Sequence, residues 1–159
     1  MRGHLVRSGL VFLAALGVGS CEDEVGLTSI PPDPERYIAF MNGANIATPV
    51  TTPALGQAVV TVSGTNDLIY RIDLSNIDSV TLSHIHRGAA GVSGGVLVNL
   101  YVPPSPTTGL DFSGMLIEDT AFAVHDTVMA QLRSGLTYVN VHTRGNGGGE
   151  IRGQLFRFQ

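Results

Sequence analysis

The sequence contains a single cysteine, Cys21, among its 159 residues. One cysteine excludes an internal disulfide, so a folded domain of this chain must be stabilised by its hydrophobic core. The N-terminal apolar run, Leu10 to Val18, is shorter than the roughly 20 residues that a membrane-spanning helix needs. The chain therefore lacks both a disulfide framework and, at its start, a membrane-spanning helix.

Basic residues are also scarce. From Cys21 onward the chain keeps all thirteen acidic residues but only seven of its nine basic ones, which gives a net charge of −6 with histidine neutral. Nucleic-acid binding calls for a basic patch that neutralises phosphates. We therefore expect no nucleic-acid partner.

Sequence motifs of common enzyme classes are missing as well. The run "GVSGG" at 91–95 lies between strand-like segments and not at the strand-to-helix turn that a nucleophile elbow requires. The acidic residues are scattered among turns and strand ends, which disfavours a glycosidase with paired carboxylates, and phosphate-binding loops are absent. We expect that the protein is not an enzyme.

Residues 1–20 have the pattern of a signal peptide, with Arg2 and Arg7 ahead of the short apolar run. The following segment, Val18-Gly19-Ser20-Cys21, resembles the lipobox of bacterial lipoproteins, in which the cysteine is acylated and becomes the new N-terminus. This resemblance predicts an exported protein of the cell envelope that a lipid on Cys21 anchors to a membrane. An incidental thiol near an ordinary cleavage site is the alternative.

Residues 21–35, "CEDEVGLTSIPPDPE", combine acidic side chains with three prolines. This composition is typical of an extended tether that holds a folded domain away from the bilayer. An ordered edge segment at the N-terminus of the domain is the alternative.

Residues 36–159 are long enough for one domain with a single core. Short runs rich in valine, isoleucine, threonine and tyrosine alternate with glycine, proline and asparagine, which is typical of antiparallel strands. The predicted strands are 36–42, 57–64, 67–74, 79–87, 95–102, 112–118, 136–143 and 150–158.

Only "AFAVHDTVMAQLRSG" at 121–135 looks helical, with Val124, Val128 and Leu132 four residues apart and Gly135 at its end. The predicted fold class is all-β, a two-sheet antiparallel β-sandwich of Greek-key or immunoglobulin-like kind with one short helix.

Two histidines stand at the end of the fourth predicted strand, in "SHIHRGAAGVSG" at 83–94. Residues two apart on a strand project from the same face, so Val80, Leu82, His84 and His86 are expected to share a face. This face begins with apolar side chains and ends with two imidazoles. We therefore expect the strand to leave the core at the rim of the sheet.

The C-terminal region predicts a hairpin whose loop, 144–149, contains four glycines. In the predicted register His142 faces Glu150, Asn140 faces Arg152 and Tyr138 faces Gln154. That face is polar, so we assign the other face, with Val139, Val141, Ile151 and Leu155, to the core.

Three blocks now carry a family resemblance: "FMNGANIATPVTTPALGQAVVTV", "LSHIHRGAAGVSGGVLVNLY" and "LRSGLTYVNVHTRGNGGGEIRGQL". In this order they resemble the CHRD domain, first described in chordin and also found in bacterial exported proteins, over most of Phe40 to Leu155. The resemblance implies a β-sandwich in a secreted or envelope protein, with no enzymatic activity. Growth-factor binding is not transferred, because the cysteine-rich repeats of chordin are missing.

Three interpretations of the histidines stay open. In the first, His84, His86 and His142 bind a single zinc or copper ion, with Glu150 as a ligand or as a group that orients one. In the second, the same residues form a structural polar cluster with Asn140, Arg144 and Arg152 that needs no cofactor. In the third, they bind a partner directly. His125 is expected to cap the helix or lie on the surface.

These expectations define the predicted function. The protein would be a lipid-anchored envelope protein whose CHRD-type domain serves as a non-catalytic binding or structural module. Its partners would be the membrane, through Cys21, and an unknown protein or envelope ligand. The alternative is a mononuclear zinc- or copper-binding protein, or a metal-dependent redox protein, that uses His84, His86 and His142.

Overall fold

The computed structural model describes residues 33–103 and 111–159. These ranges contain nine strands, one α-helix and a 3-10 turn at Gly43–Asn45. The elements are β1 (Arg36–Asn42), β2 (Leu55–Ser63), β3 (Asp67–Ile77), β4 (Val80–Arg87), β5 (Val96–Tyr101), β6 (Phe112–Ala121), α1 (Asp126–Arg133), β7 (Thr137–Thr143), β8 (Ile151–Gln154) and β9 (Phe156–Arg157). No helix within these ranges is long and apolar enough to cross a membrane.

The strands form one antiparallel sheet in the order β5-β4-β7-β8-β1-β2-β3-β6, with β9 paired to β1. Its end strands, β5 and β6, approach each other, and the buried Tyr70 hydroxyl of β3 donates to the Leu100 carbonyl of β5 at 2.9 Å. The all-β prediction with one short helix is confirmed. The separation into two sheets is not confirmed, because hydrogen bonds connect all the strands into a single, nearly closed sheet.

Alternating side chains fill the core. In β2, Ala58, Val60 and Val62 are buried, while the residues between them are more exposed. The neighbouring β3 shows the same period of two, with Leu68, Tyr70, Ile72 and Leu74 buried. This period places one face of each strand against the core and the other toward solvent.

The predicted helix forms over part of its segment, at Asp126–Arg133. Val124, Val128 and Leu132 are buried against the core, as their spacing predicts. His125 is the N-cap and accepts a hydrogen bond from the Thr127 backbone N–H at 3.2 Å, which confirms its capping role. Gly135 has φ +72°, the left-handed conformation in which helices commonly end.

The predicted signal peptide, Cys21 and most of the predicted tether lie outside the described residues. Glu35, the last residue of the predicted tether, is in contact with the folded domain. Its carboxylate accepts hydrogen bonds from the Tyr37 hydroxyl at 2.7 Å and from Arg133 Nε at 3.1 Å. Its carbonyl accepts one from the Val62 N–H at 2.8 Å.

Candidate functional site

The histidines of β4 face away from the core. Val80 and Ile85 are both core residues. A regular strand would place them on opposite faces, since they are five residues apart. They share a face because the β4–β7 register shifts between Val80 and Leu82. The prediction that Val80 shares a face with His84 and His86 is therefore wrong. A bulge moves the two imidazoles to the opposite side of the sheet from Val80.

The β7–β8 hairpin has the predicted register, with Tyr138 opposite Gln154 and Asn140 opposite Arg152. The predicted core residues Val139, Val141, Ile151 and Leu155 are all fully buried. Every residue of β7 is buried, however. The polar side of this strand is covered too, so the histidines lie on a second buried layer and not at a solvent-exposed rim.

We call this layer the polar face and define it by its side chains on β4, β7 and β8. They are His84, His86, Tyr138, Asn140, His142, Arg152 and Gln154. Two glycine-containing loops are hydrogen-bonded to it: the first loop, residues 88–95, and the second loop, residues 144–149. Loop backbone carbonyls need hydrogen-bond donors when they are buried, and the polar face supplies them.

Three side chains of the polar face are hydrogen-bonded to carbonyls of the first loop. His86 Nδ1 lies 3.0 Å from the Gly94 carbonyl. The Arg152 guanidinium donates to the carbonyls of Ala89 at 2.7 Å and Val92 at 3.0 Å. Gln154 Nε2 donates to the Gly88 carbonyl at 2.9 Å. The conformation of this loop is thus fixed by donors from two strands that are distant in sequence.

The second loop is held in the same way. His142 Nδ1 lies 3.0 Å from the Gly147 carbonyl, and Asn140 Nδ2 donates to the Gly148 carbonyl at 3.2 Å. These contacts are made from β7 back to the loop that follows it. Both loops are therefore fixed to the same layer of side chains.

The three imidazoles of the polar face lie together. One nitrogen from each of His84, His86 and His142 lies within 4.8 Å of the others, and the closest pair is His84 Nδ1 and His142 Nε2 at 3.2 Å. The ring centroids are 5.0 to 5.8 Å apart. All three were expected from the sequence, and the structure brings them into one cluster.

Burial favours the neutral form of two of these imidazoles. It is the main cause that lowers the pKa of His84 to about 4, with the neighbouring His142 and His86 adding to the effect. Burial also lowers the pKa of His86, although the Gly94 carbonyl opposes this by favouring the protonated ring. Neutral imidazole is the form that binds metal ions.

Glu150 is separate from the histidine cluster. Its carboxylate accepts hydrogen bonds from the Thr52 and Thr143 hydroxyls, each at 2.6 Å, and from Asn146 Nδ2 at 3.1 Å. Two of these partners belong to or border the second loop, and Thr52 precedes β2. Glu150 therefore fixes the base of the second loop and is occupied by these donors.

The remaining predicted residues differ in their positions. Arg152 is buried and its guanidinium carbon lies 3.4 Å from the centre of the Tyr138 ring. Arg144 is exposed in the second loop, where its backbone N–H donates to the Ser79 carbonyl at 3.1 Å.

Tyr138 is a further residue of the site that was not predicted. Its ring stacks on His86 with 5.1 Å between the ring centroids, and its hydroxyl accepts a hydrogen bond from the Gly94 N–H. Its parity with Asn140 and His142 was the feature in the sequence that pointed to it.

Comparison with known protein families gives a match over most of the described residues. A family model described as the CHRD domain matches residues 37–155, a range that includes all of the polar face and both loops. No curated protein and no solved structure matches the chain.

Proposed function

The chain belongs to the CHRD domain family, and we propose that it is a lipid-anchored protein of the cell envelope whose CHRD domain is a non-catalytic binding or structural module. The membrane would be one partner, through a lipid on Cys21. A protein or another component of the envelope would be the second. The net charge of −6 from Cys21 onward argues against nucleic acid as a partner.

The proposal of an anchor depends on the N-terminal sequence. Arg2 and Arg7 precede an apolar run, and the small residues Gly19 and Ser20 stand immediately before Cys21. This order is that of a signal peptide followed by an acylated cysteine. The acidic, proline-containing segment that follows would separate the domain from the membrane surface.

The proposal of a module without catalysis is supported by what the polar face contacts. His86, His142, Asn140 and Arg152 each have a backbone carbonyl of the first or second loop as a partner. Donors used in this way stabilise surface loops on a rigid sheet, and such loops are where binding residues are commonly found.

Phase partition of the exported protein tests the anchor. The wild type is expected in the detergent phase, whereas Cys21→Ala is expected in the aqueous phase or as an unprocessed precursor. Ser20→Ala keeps a small residue before the cysteine and is the matched control, which should partition like the wild type. A wild type that is found in the aqueous phase after export would contradict the proposal.

A second candidate function is favoured by one observation, the convergence of three imidazole nitrogens on the polar face. From the sequence, this alternative was a mononuclear zinc- or copper-binding protein or a metal-dependent redox protein. Metal binding is compatible with a non-catalytic module, because a bound ion would hold the same loops that the hydrogen bonds hold.

A further inference from the structure

We infer that His84, His86 and His142 form a binding site for one Zn²⁺ or Cu²⁺ ion, which would fasten both glycine-containing loops to the sheet. The ligands would be His84 Nδ1, His86 Nε2 and His142 Nε2. The inference rests on the second candidate function and specifies its ligands, and it does not depend on the lipid anchor.

The spacing of the nitrogens fits such an ion. Two imidazole nitrogens that bind a tetrahedral zinc ion at about 2.0 to 2.1 Å are about 3.3 Å apart. His84 Nδ1 and His142 Nε2 are 3.2 Å apart, which is the separation of two metal ligands. Without metal this contact is a hydrogen bond whose proton His84 Nδ1 carries, so metal binding would require His84 to change to its Nε2–H tautomer. One nitrogen of His86 lies within 4.8 Å of a nitrogen of each of the other two rings, and metal binding would draw it closer.

The opposite nitrogens of two rings are fixed by the loops. A carbonyl oxygen accepts hydrogen bonds only, so the nitrogens that contact Gly94 and Gly147 must carry the protons. In the neutral rings of His86 and His142 the Nε2 atoms then carry lone pairs. Metal-binding histidines almost always donate their other ring N–H to a carbonyl or a carboxylate, which fixes the tautomer and the ring orientation.

One of these lone pairs accepts no hydrogen bond from the described residues. Within the described residues, His86 Nε2 is buried without a hydrogen-bond partner, and the whole side chain is only 8% exposed. A buried polar atom without a partner is costly. A metal ion at the centre of the cluster would satisfy it.

A small cavity borders the cluster at His86. Its volume is about 120 Å³, and it is lined by His86, Asn140 and residues of both loops, which is enough for water molecules. Asn140 Oδ1 is also buried without a partner among the described residues. A water molecule in this cavity would be able to donate to an otherwise unpaired acceptor.

The chemistry of the ligands selects the class of metal. Three imidazoles suit zinc and copper, whereas magnesium and calcium prefer oxygen ligands. Glu150 is bonded to Thr52, Thr143 and Asn146 and provides no oxygen to the cluster. The nearby Arg152 charge opposes a cation, but its guanidinium is bonded to two loop carbonyls and lies over the Tyr138 ring.

Metal titration of the full chain tests the site. Every sample carries Cys21→Ser, which removes the only thiol, lacks a polyhistidine tag and is first stripped with a chelator. At pH 7 we expect one equivalent of Zn²⁺ or Cu²⁺ to bind and Mg²⁺ not to bind. Saturation should raise the melting temperature by roughly 5 to 15 °C.

Three variants locate the site. His86→Gln and His142→Gln should weaken binding by more than about 100-fold, since even loss of a group that only orients a ligand costs about 10- to 100-fold. His125→Gln changes the exposed helix cap and should bind like the parent protein. Equal affinity in all three variants, or no binding to the parent, would overturn the inference.

A spectroscopic measurement on the parent protein covers the case in which a histidine variant fails to fold. Electron paramagnetic resonance of the Cu²⁺-loaded parent should show hyperfine coupling to three imidazole nitrogens. Coupling to one nitrogen or to none would overturn the inference regardless of the variants.

Discussion

His84 Nδ1 lies 3.2 Å from His142 Nε2, which connects adjacent strands across a sequence separation of 58 residues. Because His142 Nδ1 must donate to the Gly147 carbonyl, its Nε2 accepts in the neutral ring, and the proton between the two rings belongs to His84 Nδ1. In chelator-treated protein at pH 7, nitrogen NMR should therefore show both rings protonated at Nδ1. Protonation of His142 at Nε2 would contradict this hydrogen-bond assignment.

Core packing at the hairpin gives a second prediction. Val139 and Ile151 are fully buried, so Val139→Ala and Ile151→Ala should each lower the free energy of unfolding by about 1 to 4 kcal/mol through lost contacts and a cavity. Val96, which is 50% exposed, provides the matched control as Val96→Ala. Urea denaturation measures all three, and an equal effect of the control and core changes would show that the core assignment is wrong.

A substitution at Thr137 is expected to raise the stability of the protein. Thr137 is fully buried at the start of β7, and its hydroxyl has no hydrogen-bond partner among the described residues. Thr137→Val has nearly the same shape and removes an unsatisfied polar group, so it should raise the free energy of unfolding by about 1 kcal/mol or more. Thermal denaturation with Thr143→Val as the comparison checks this, because the Thr143 hydroxyl donates to Glu150 at 2.6 Å. A loss of stability in Thr137→Val would indicate that its hydroxyl has a partner.

The second loop depends on one glycine. Gly149 has φ +120°, and a Cβ at this position would overlap the side-chain amide of Asn140. Gly149→Ala should therefore destabilise the protein by about 1 to 3 kcal/mol. Gly147 has open space around it and no positive φ, so Gly147→Ala should change stability by much less. Equal effects in denaturant titrations would refute the proposed strain at Gly149.

Glu35 predicts a pH dependence. The hydrogen bond from Arg133 is the main cause that lowers the pKa of Glu35 below 4.5 in the folded protein. The unfolded chain then binds the proton more tightly, so this contribution is fully present above pH 4.5 and is lost as the pH falls through the lowered folded value. Arg133→Gln should reduce stability by up to about 1 kcal/mol at pH 7, and its difference from the wild type should shrink as the pH falls below 4.5. A difference that does not change with pH would contradict the ion pair.

The sequence allowed the strands and one of their faces to be predicted, but not how the strands assemble. Alternation in β7 placed Val139 and Val141 in the core correctly, and the register Asn140–Arg152 followed from the glycine-containing loop. The same alternation did not reveal that the polar side of β7 is covered, because the cover consists of two loops without any periodic pattern. The bulge after Val80 could not be predicted from the sequence either, since one extra residue in a strand does not change its amino-acid composition in a recognisable way. The single sheet depends on pairings such as β1–β8 that join distant parts of the chain.

The sequence predicted which residues form the site more successfully than which contacts they make. His84, His86 and His142 were expected together because they stand at the ends of strands beside glycine-containing loops, and they do form one cluster. Glu150 was expected as a metal ligand, as a group that orients one, or as part of a polar cluster with Arg144 and Arg152. Its carboxylate instead contacts Thr52, Thr143 and Asn146. Thr52 is 98 residues away in sequence, so local spacing could not reveal it.

The mass of the mature protein tests the central claim most directly. Protein isolated from the membrane fraction of the producing cell should begin at Cys21 and carry a covalent lipid on that residue, which intact mass spectrometry with N-terminal peptide mapping measures. A mature chain that retains residues 1–20, or that has an unmodified Cys21, would contradict the account of a lipid-anchored envelope module.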